Sequence, residues 1–333
     1  MSKHYTIPIF TPELACPFQC VFCNQEKISG QHTIPNNNEI IKTIEEHLST
    51  FKAEDKIVEV GFFGGSFTGI PIDQQKMYLK IVEPYIKTGE IQGIRLSTRP
   101  DYINDEILTM LKAHNVTTIE LGAQSFDDEV LKETRRGHTA LQIEQASAAI
   151  KSYGFKLGLQ MMIGLPGDTM EKAIDTAQKI IKAGADCTRI YPSVVIKDTL
   201  MHKWYNIGKY KPLSMEQAVN WTKHILPLFE YAGVKVIRVG LHPSEGLVVG
   251  EELIDGPLHP SFKELVITAI WTDLLKPILN KTTKQSLEIH VTQKELNYAI
   301  GYKSVNKNML LEKFSSVRFI PDKEITERNF IIK

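Results

Sequence analysis

The chain has 333 residues, 42% hydrophobic and 23% charged, with 39 basic side chains balanced by 39 acidic ones. That length can bury one barrel-sized domain plus an appendage, or two ordinary domains. Zero net charge excludes a global field for a polyanion, so any nucleic-acid contact needs a local basic patch.

The start, Met1-Ser2-Lys3-His4-Tyr5, lacks the apolar core of a signal peptide. The longest apolar stretch, near Leu265–Leu279, is broken by Thr268, Thr272, Asp273 and Lys276, so no membrane span and a cytoplasmic location are expected.

Strand and helix patterns then alternate. Tyr5–Phe10 reads as a strand and Asn38–Phe51 as an amphipathic helix; Ile57–Phe63, Asp73–Lys87, Gly93–Ser97 and Asn104–His114 repeat the pair twice. Thr117–Leu121, Ala140–Tyr153, Lys156–Met162, Met170–Ala183, Cys187–Tyr191 and Ser214–Ala232 continue it, and Val234–Val239 is a seventh strand candidate. Repeated βα units predict a parallel sheet, closed or partly closed, with helices outside and function in the loops after the strands. The polar and glycine-rich runs at 16–23, 64–69, 97–101, 122–125, 164–167 and 191–192 fall in those loops.

Beyond about residue 245 the rhythm changes. Gly256-Pro257-Leu258-His259-Pro260 reads as a turn, then come a helix (Ser261–Leu275), a strand (Leu287–Val291), two helices (Gln293–Gly301 and Asn306–Phe314) and two short strands. The expected division is 1–245 for the barrel and 246–333 for a small C-terminal α/β domain that binds substrate or RNA.

Of the four cysteines, Cys16, Cys20 and Cys23 lie within eight residues as C-x3-C-x2-C, and Cys187 stands apart. This is no disulfide framework. Three thiolates in one loop can hold three irons of a cubane and leave the fourth open to a small chelator. The alternative, structural zinc, needs four protein ligands, and the nearest candidate fourth, His32, lies nine residues after Cys23 in a polar loop.

With Phe22 just before the third cysteine, this run after the first strand resembles the radical S-adenosylmethionine (SAM) superfamily. The resemblance implies a partial (β/α)6 TIM-like barrel, a [4Fe-4S] cluster on Cys16, Cys20 and Cys23, and SAM chelating the open iron. It also implies an electron donor such as ferredoxin or flavodoxin. Gly64, Gly65 and Ser66 stand where the superfamily places a glycine pair near the methionine end of SAM.

Thr98-Arg99-Pro100-Asp101-Tyr102, Ile119-Glu120-Leu121-Gly122-Ala123-Gln124-Ser125, Arg135-Arg136-Gly137-His138-Thr139 and Gly164-Leu165-Pro166-Gly167 follow in order. With the run Ile190–Thr199 and Tyr210-Lys211-Pro212, they resemble the radical SAM half of the Elongator catalytic subunit, which modifies the wobble uridine of tRNA. By similarity to that family and to oxygen-independent coproporphyrinogen oxidase, Gln124 and Arg136 are expected to contact SAM. Gln160 takes a ribose-contacting position, and Met162 lies beside it, although barrel packing explains a methionine there better than a cofactor contact does. For Arg136 the alternative is a helix-terminal arginine at the surface.

Two departures stand out. The family often carries an acid before Thr-Arg-Pro-Asp, and here the residue is Ser97, whose hydroxyl can still bond SAM but bears no charge. The residues after Pro260 are too few for an acetyltransferase-like domain and show no coenzyme-A phosphate loop, so carboxymethyl chemistry is not expected.

The leading expectation is an enzyme modifying tRNA or rRNA. The tail from Lys281 to Lys333 carries ten Lys or Arg against six Asp or Glu, with 302–308 as a candidate phosphate contact. Arg135, His138, Lys203, Trp204 and Tyr205 are candidates for the substrate entrance. Radical chemistry on a small metabolite, tetrapyrrole or peptide, and a non-catalytic SAM- or cluster-binding protein, are the competing classes.

Overall fold

The computed structural model describes residues 3–11, 20–24, 35–52, 56–241, 251–281 and 285–333. In chain order these form β1 (Lys3–Phe10), α1 (Asn37–Thr50), β2 (Lys56–Phe63), α2 (Ile72–Lys87), β3 (Gly93–Thr98), α3 (Asp105–Ala113), β4 (Val116–Gln124), α4 (Asp128–Glu133), α5 (Ala140–Ser152), β5 (Lys156–Ile163), α6 (Met170–Lys182) and β6 (Cys187–Pro192). Then come β7 (Val195–Ile196), α7 (Leu200–Asn206), α8 (Met215–Tyr231), β8 (Lys235–Val239), β9 (Leu253–Asp255) and α9 (Phe262–Leu275).

Seven strands pair side by side in the order β1-β2-β3-β4-β5-β6-β8, every pair parallel. Among the described residues β1 and β8 are the two edges, and the sheet curls into part of a barrel. The seventh strand candidate is therefore a strand. Side chains alternate across the sheet. On the outer face Ile7, Val60, Leu96, Leu121, Leu159 and Ile190 are wholly or almost wholly buried against helices. Each such side chain contributes about 1.5–3 kcal/mol on leaving water.

Caps set where the helices begin. Asn36 with Glu39, Thr139 with Gln142 and Ser214 with Gln217 form reciprocal capping boxes on α1, α5 and α8.

After the barrel, α9 packs on α8, and a three-stranded sheet follows in the order β11-β10-β12, where β10 is Ser286–Val291, β11 Ser316–Pro321 and β12 Phe330–Ile332. Helices α10 (Leu296–Ile300) and α11 (Val305–Leu311) bridge β10 and β11. Asn306, inside the segment expected to touch phosphates, is instead buried. Its amide donates to Thr268 O at 3.2 Å and its carbonyl accepts from Thr272 at 2.6 Å, so it holds α11 to α9. Lys303 in the same segment is exposed. Among the described residues no helix is long and apolar enough to cross a membrane.

Candidate active site

The concave face of the sheet has two layers. The floor is ionic. Glu59 on β2, Arg95 on β3, Glu120 on β4 and Arg189 on β6 point the same way because each sits at an inward position of its strand. Arg95 Nε donates to Glu59 at 3.0 Å and Nη1 to Glu120 at 3.1 Å. Arg189 grips Glu120 with two bonds of 2.6 and 3.1 Å. Gln160 Nε2 donates to Glu120 Oε2 at 3.1 Å and to Ser97 Oγ at 3.3 Å, while His4 and Thr117 complete Glu59. Burial by itself would raise the Glu120 carboxyl, but Arg189, Arg95 and Gln160 outweigh it and hold the group below the usual carboxylate range. Room for this carboxylate comes from Gly158 opposite, where a Cβ would stand 2.7 Å from Glu120 Cγ.

Ser97 and Glu120 are register partners on adjacent strands. The negative charge absent at Ser97 is thus present one strand over.

Above the floor lies a rim of loops. At Gly64 the chain leaves β2 with φ +102°, a conformation that suits glycine, and a Cβ there would stand 3.2 Å from Thr11 O. Ser66 shares a 2.9 Å hydrogen bond with Thr98 and accepts Arg99 N at 3.1 Å, which locks the ends of β2 and β3 together. Gln124 ends β4 at a register shift with φ +66°, a strained setting for a side chain of its size.

Arg136 follows α4, which Asp127 caps through Val130 N. Positive φ at Arg135 and Gly137 turns the chain on either side of Arg136, sending its side chain inward. It is buried, which removes the surface alternative. Nη1 donates to Cys20 Sγ at 3.1 Å, Nη2 donates to Gly122 O, and the guanidinium carbon lies 5.9 Å from the centre of the Phe22 ring. Arg99 supports it from behind, forking onto Asp101 at 2.9 and 3.0 Å and donating to Arg136 O.

The cysteine segment 20–24 hangs between two elements: Val21 N donates to Thr134 O at 3.1 Å, and Met201 N on α7 donates to Val21 O at 2.8 Å. Cys23 N donates back to Cys20 O. Phe22, Met162, Leu165, Met201 and Tyr210 pack around the thiols as an apolar cluster separate from the main core. Behind it, Tyr210 donates to Gly164 O at 2.7 Å, and Asp168 accepts Gly164 N, with burial pushing its carboxyl up to about 7.

Cys20, Phe22, Gln124, Arg136 and Met162 therefore gather at the rim with Cys23. Gln160 and Ser97 sit one layer below, joined to the floor, and Ser66 is tied to β3. Cys16 lies outside the described residues. Of the expected entrance residues, Arg135 and Lys203 are exposed, and Trp204 and Tyr205 pack against the apolar cluster that includes Cys20 and Phe22. His138 does not belong with them. It is buried under the rim, where desolvation pushes its imidazole down to about 3, helped by the Arg136 and Arg99 guanidiniums. The floor network escaped the sequence reading, although charges at inward positions of otherwise aliphatic strands (Glu59, Arg95, Glu120, Arg189) are its signature.

Among the described residues, Gln124 Oε1, an acceptor, and Arg136 Nε, a donor, are buried at the rim without a hydrogen-bond partner. Unmet polar atoms at this depth are costly unless a ligand completes them. Beside Cys20 and Cys23, an acceptor and a donor suit the ammonium and carboxylate of an amino acid bound next to a thiolate-held cluster.

The family profile described as the radical SAM superfamily matches residues 14–180, half of the chain, and that of the radical SAM C-terminal domain matches 185–271. The chain is 23% identical over 240 residues to a tRNA uridine(34) acetyltransferase of Dehalococcoides mccartyi, covering 62% of this chain and 52% of the relative. It is 30% identical over 178 residues to Elongator complex protein 3 of Saccharomyces cerevisiae, covering 53% of this chain and 31% of the relative. The chain thus spans between about a third and a half of these relatives' lengths. The solved structure of an N-terminally deleted archaeal Elp3 from Methanocaldococcus infernus superposes with a TM-score of 0.64 at 21% identity, covering 82% of this chain and 64% of that one, a likeness of fold.

Proposed function

Because the chain belongs to the radical SAM superfamily, we propose that it is an RNA-modifying enzyme whose cluster rests on Cys16, Cys20 and Cys23, with tRNA or rRNA as substrate. When bound, a [4Fe-4S] cluster with SAM on its open iron supplies one-electron reductive cleavage to methionine and a 5′-deoxyadenosyl radical. The observation that carries the reading is the pair of rim atoms beside the cysteines, Gln124 Oε1 and Arg136 Nε, that no described residue satisfies.

The residues divide the work by position. Gln124 and Arg136 orient the amino-acid end of SAM. Gly64 and Gly65 let backbone approach it, and Gln160 and Ser97 present polar atoms from below. Phe22, Met162, Leu165 and Met201 keep water from a radical that would otherwise be quenched. The tRNA-modifying names of the relatives and the basic tail support RNA as the substrate class.

After anaerobic reconstitution, Cys20→Ala is expected to lose most bound iron and all 5′-deoxyadenosine release. Iron that stays at the wild-type level refutes the ligand assignment. Mass spectrometry of nucleosides from total RNA of a deletion strain is expected to show one modification missing; an unchanged profile counts against RNA.

A further inference from the structure

Two guanidiniums share the buried rim, and their partners differ. Arg99 is neutralised by a bidentate fork onto Asp101. Arg136, 6% exposed, has no carboxylate among the described residues; its donors go to Cys20 Sγ and the Gly122 carbonyl. A buried cation without a counter-charge costs several kcal/mol, so such an arrangement persists where an anion belongs to the same site. The group facing Arg136 at 3.1 Å is the Cys20 sulfur, itself buried and surrounded by Val21, Phe22, Leu165 and Met201. That sulfur is anionic when it ligates iron.

The hold on Arg136 is elaborate. Its backbone N donates to Leu131 O at 2.9 Å, its carbonyl accepts from Arg99, and Arg99 is fixed in turn by Asp101 and by Ser66 at its own N–H. The segments 98–101 and 135–138, far apart in sequence, thus form one device aimed at a single sulfur.

We propose that Arg136 is an outer-shell positioning residue of the cluster, donating to the Cys20 thiolate and raising the cluster's reduction potential. This rests on the reading of Cys16, Cys20 and Cys23 as the cluster ligands. Reduction places one more electron on the cluster, with no bond made or broken. Sulfur carries part of that added charge, so a cationic donor at sulfur stabilises the reduced form more than the oxidised one. Burial strengthens the effect because little solvent screens it.

The test is a redox titration of the reconstituted full chain against dithionite, followed by the electron paramagnetic resonance of the reduced cluster, without SAM. Arg136→Gln is expected to keep its iron and to shift to more negative potential, by about 59 mV if the reduction equilibrium falls tenfold. Arg136→Lys, which retains the charge, is expected to restore part of the shift. Arg99→Gln, which leaves Arg136 in place but unsupported, is expected to move the potential the same way by less, and it reads the effect even where Arg136→Gln fails to fold. A wild-type potential in both Arg136→Gln and Arg99→Gln overturns the inference. A wild-type chain that takes up no cluster overturns the proposed function and this inference with it, so the two failures are told apart.

Discussion

The floor of the half-barrel sits on its strands and the rim on the loops above them, one layer apart, yet they solve burial in opposite ways. In the floor, Glu59, Arg95, Glu120 and Arg189 satisfy one another, with Gln160, His4 and Thr117 filling the remaining positions. In the rim, the Arg136 cation and the Cys20 thiol are buried and the Gln124 amide is half-buried, and among the described residues part of their bonding capacity is unmet. A network that closes on itself stabilises the folded state; one left open stores binding capacity for a ligand. The contrast separates residues that hold the barrel from residues that serve it.

The sharpest way to break this division is at its centre. Glu120→Ala leaves Arg95 and Arg189 buried without their shared carboxylate, and is expected to cost about 3–5 kcal/mol of unfolding free energy in urea titrations. A loss under about 1 kcal/mol would mean that the floor is not a closed network.

His138 tests the boundary between the layers through pH. Its folded pKa, about 3, lies below the unfolded value near 6.5. Between those values the unfolded chain binds a proton that the folded chain refuses. His138 therefore has no effect on stability above about pH 6.5 and destabilises progressively as pH falls toward 3. His138→Gln should flatten the acid side of the stability curve, recovering at most about 2 kcal/mol at pH 5 relative to its own value at pH 7. Asp168, whose raised pKa acts in the opposite direction, is common to both chains and cancels in the comparison.

Gln124 sharpens the rim side. Gln124→Ala removes an amide whose oxygen bonds nothing among the described residues, so unfolding free energy is expected to stay within about 0.5 kcal/mol while SAM affinity falls by about 0.5–1.5 kcal/mol. Equal SAM affinity by calorimetry would move Gln124 out of the binding site.

The sequence disclosed the strands and major helices of the barrel to within a residue or two at most ends, because period-2 aliphatic runs and Asn, Thr and Ser caps are local signals. It disclosed the cysteines and the rim arginine through short motifs. It did not disclose what depends on register. Glu120 reads as one letter of a motif, and only the pairing of β3 with β4 sets it beside Ser97. The bond from Arg136 to Cys20 joins residues 116 positions apart, and His138 looks like a surface group until the fold buries it beside Ala123 and Asp101. Strand β4 runs on to Gln124 through an irregularity, and the β7–β9 pair consists of strands of two and three residues, too short for any period to appear.

The bond from the Met201 amide to Val21 O has a use of its own. It is a backbone proton on one helix whose shelter depends on a segment nearly two hundred positions earlier. Its rate of deuterium uptake therefore gauges how firmly the thiol segment is seated, with no label attached. Slower uptake at Met201 after iron and sulfide are supplied would register cluster assembly from a helix that contributes no cysteine.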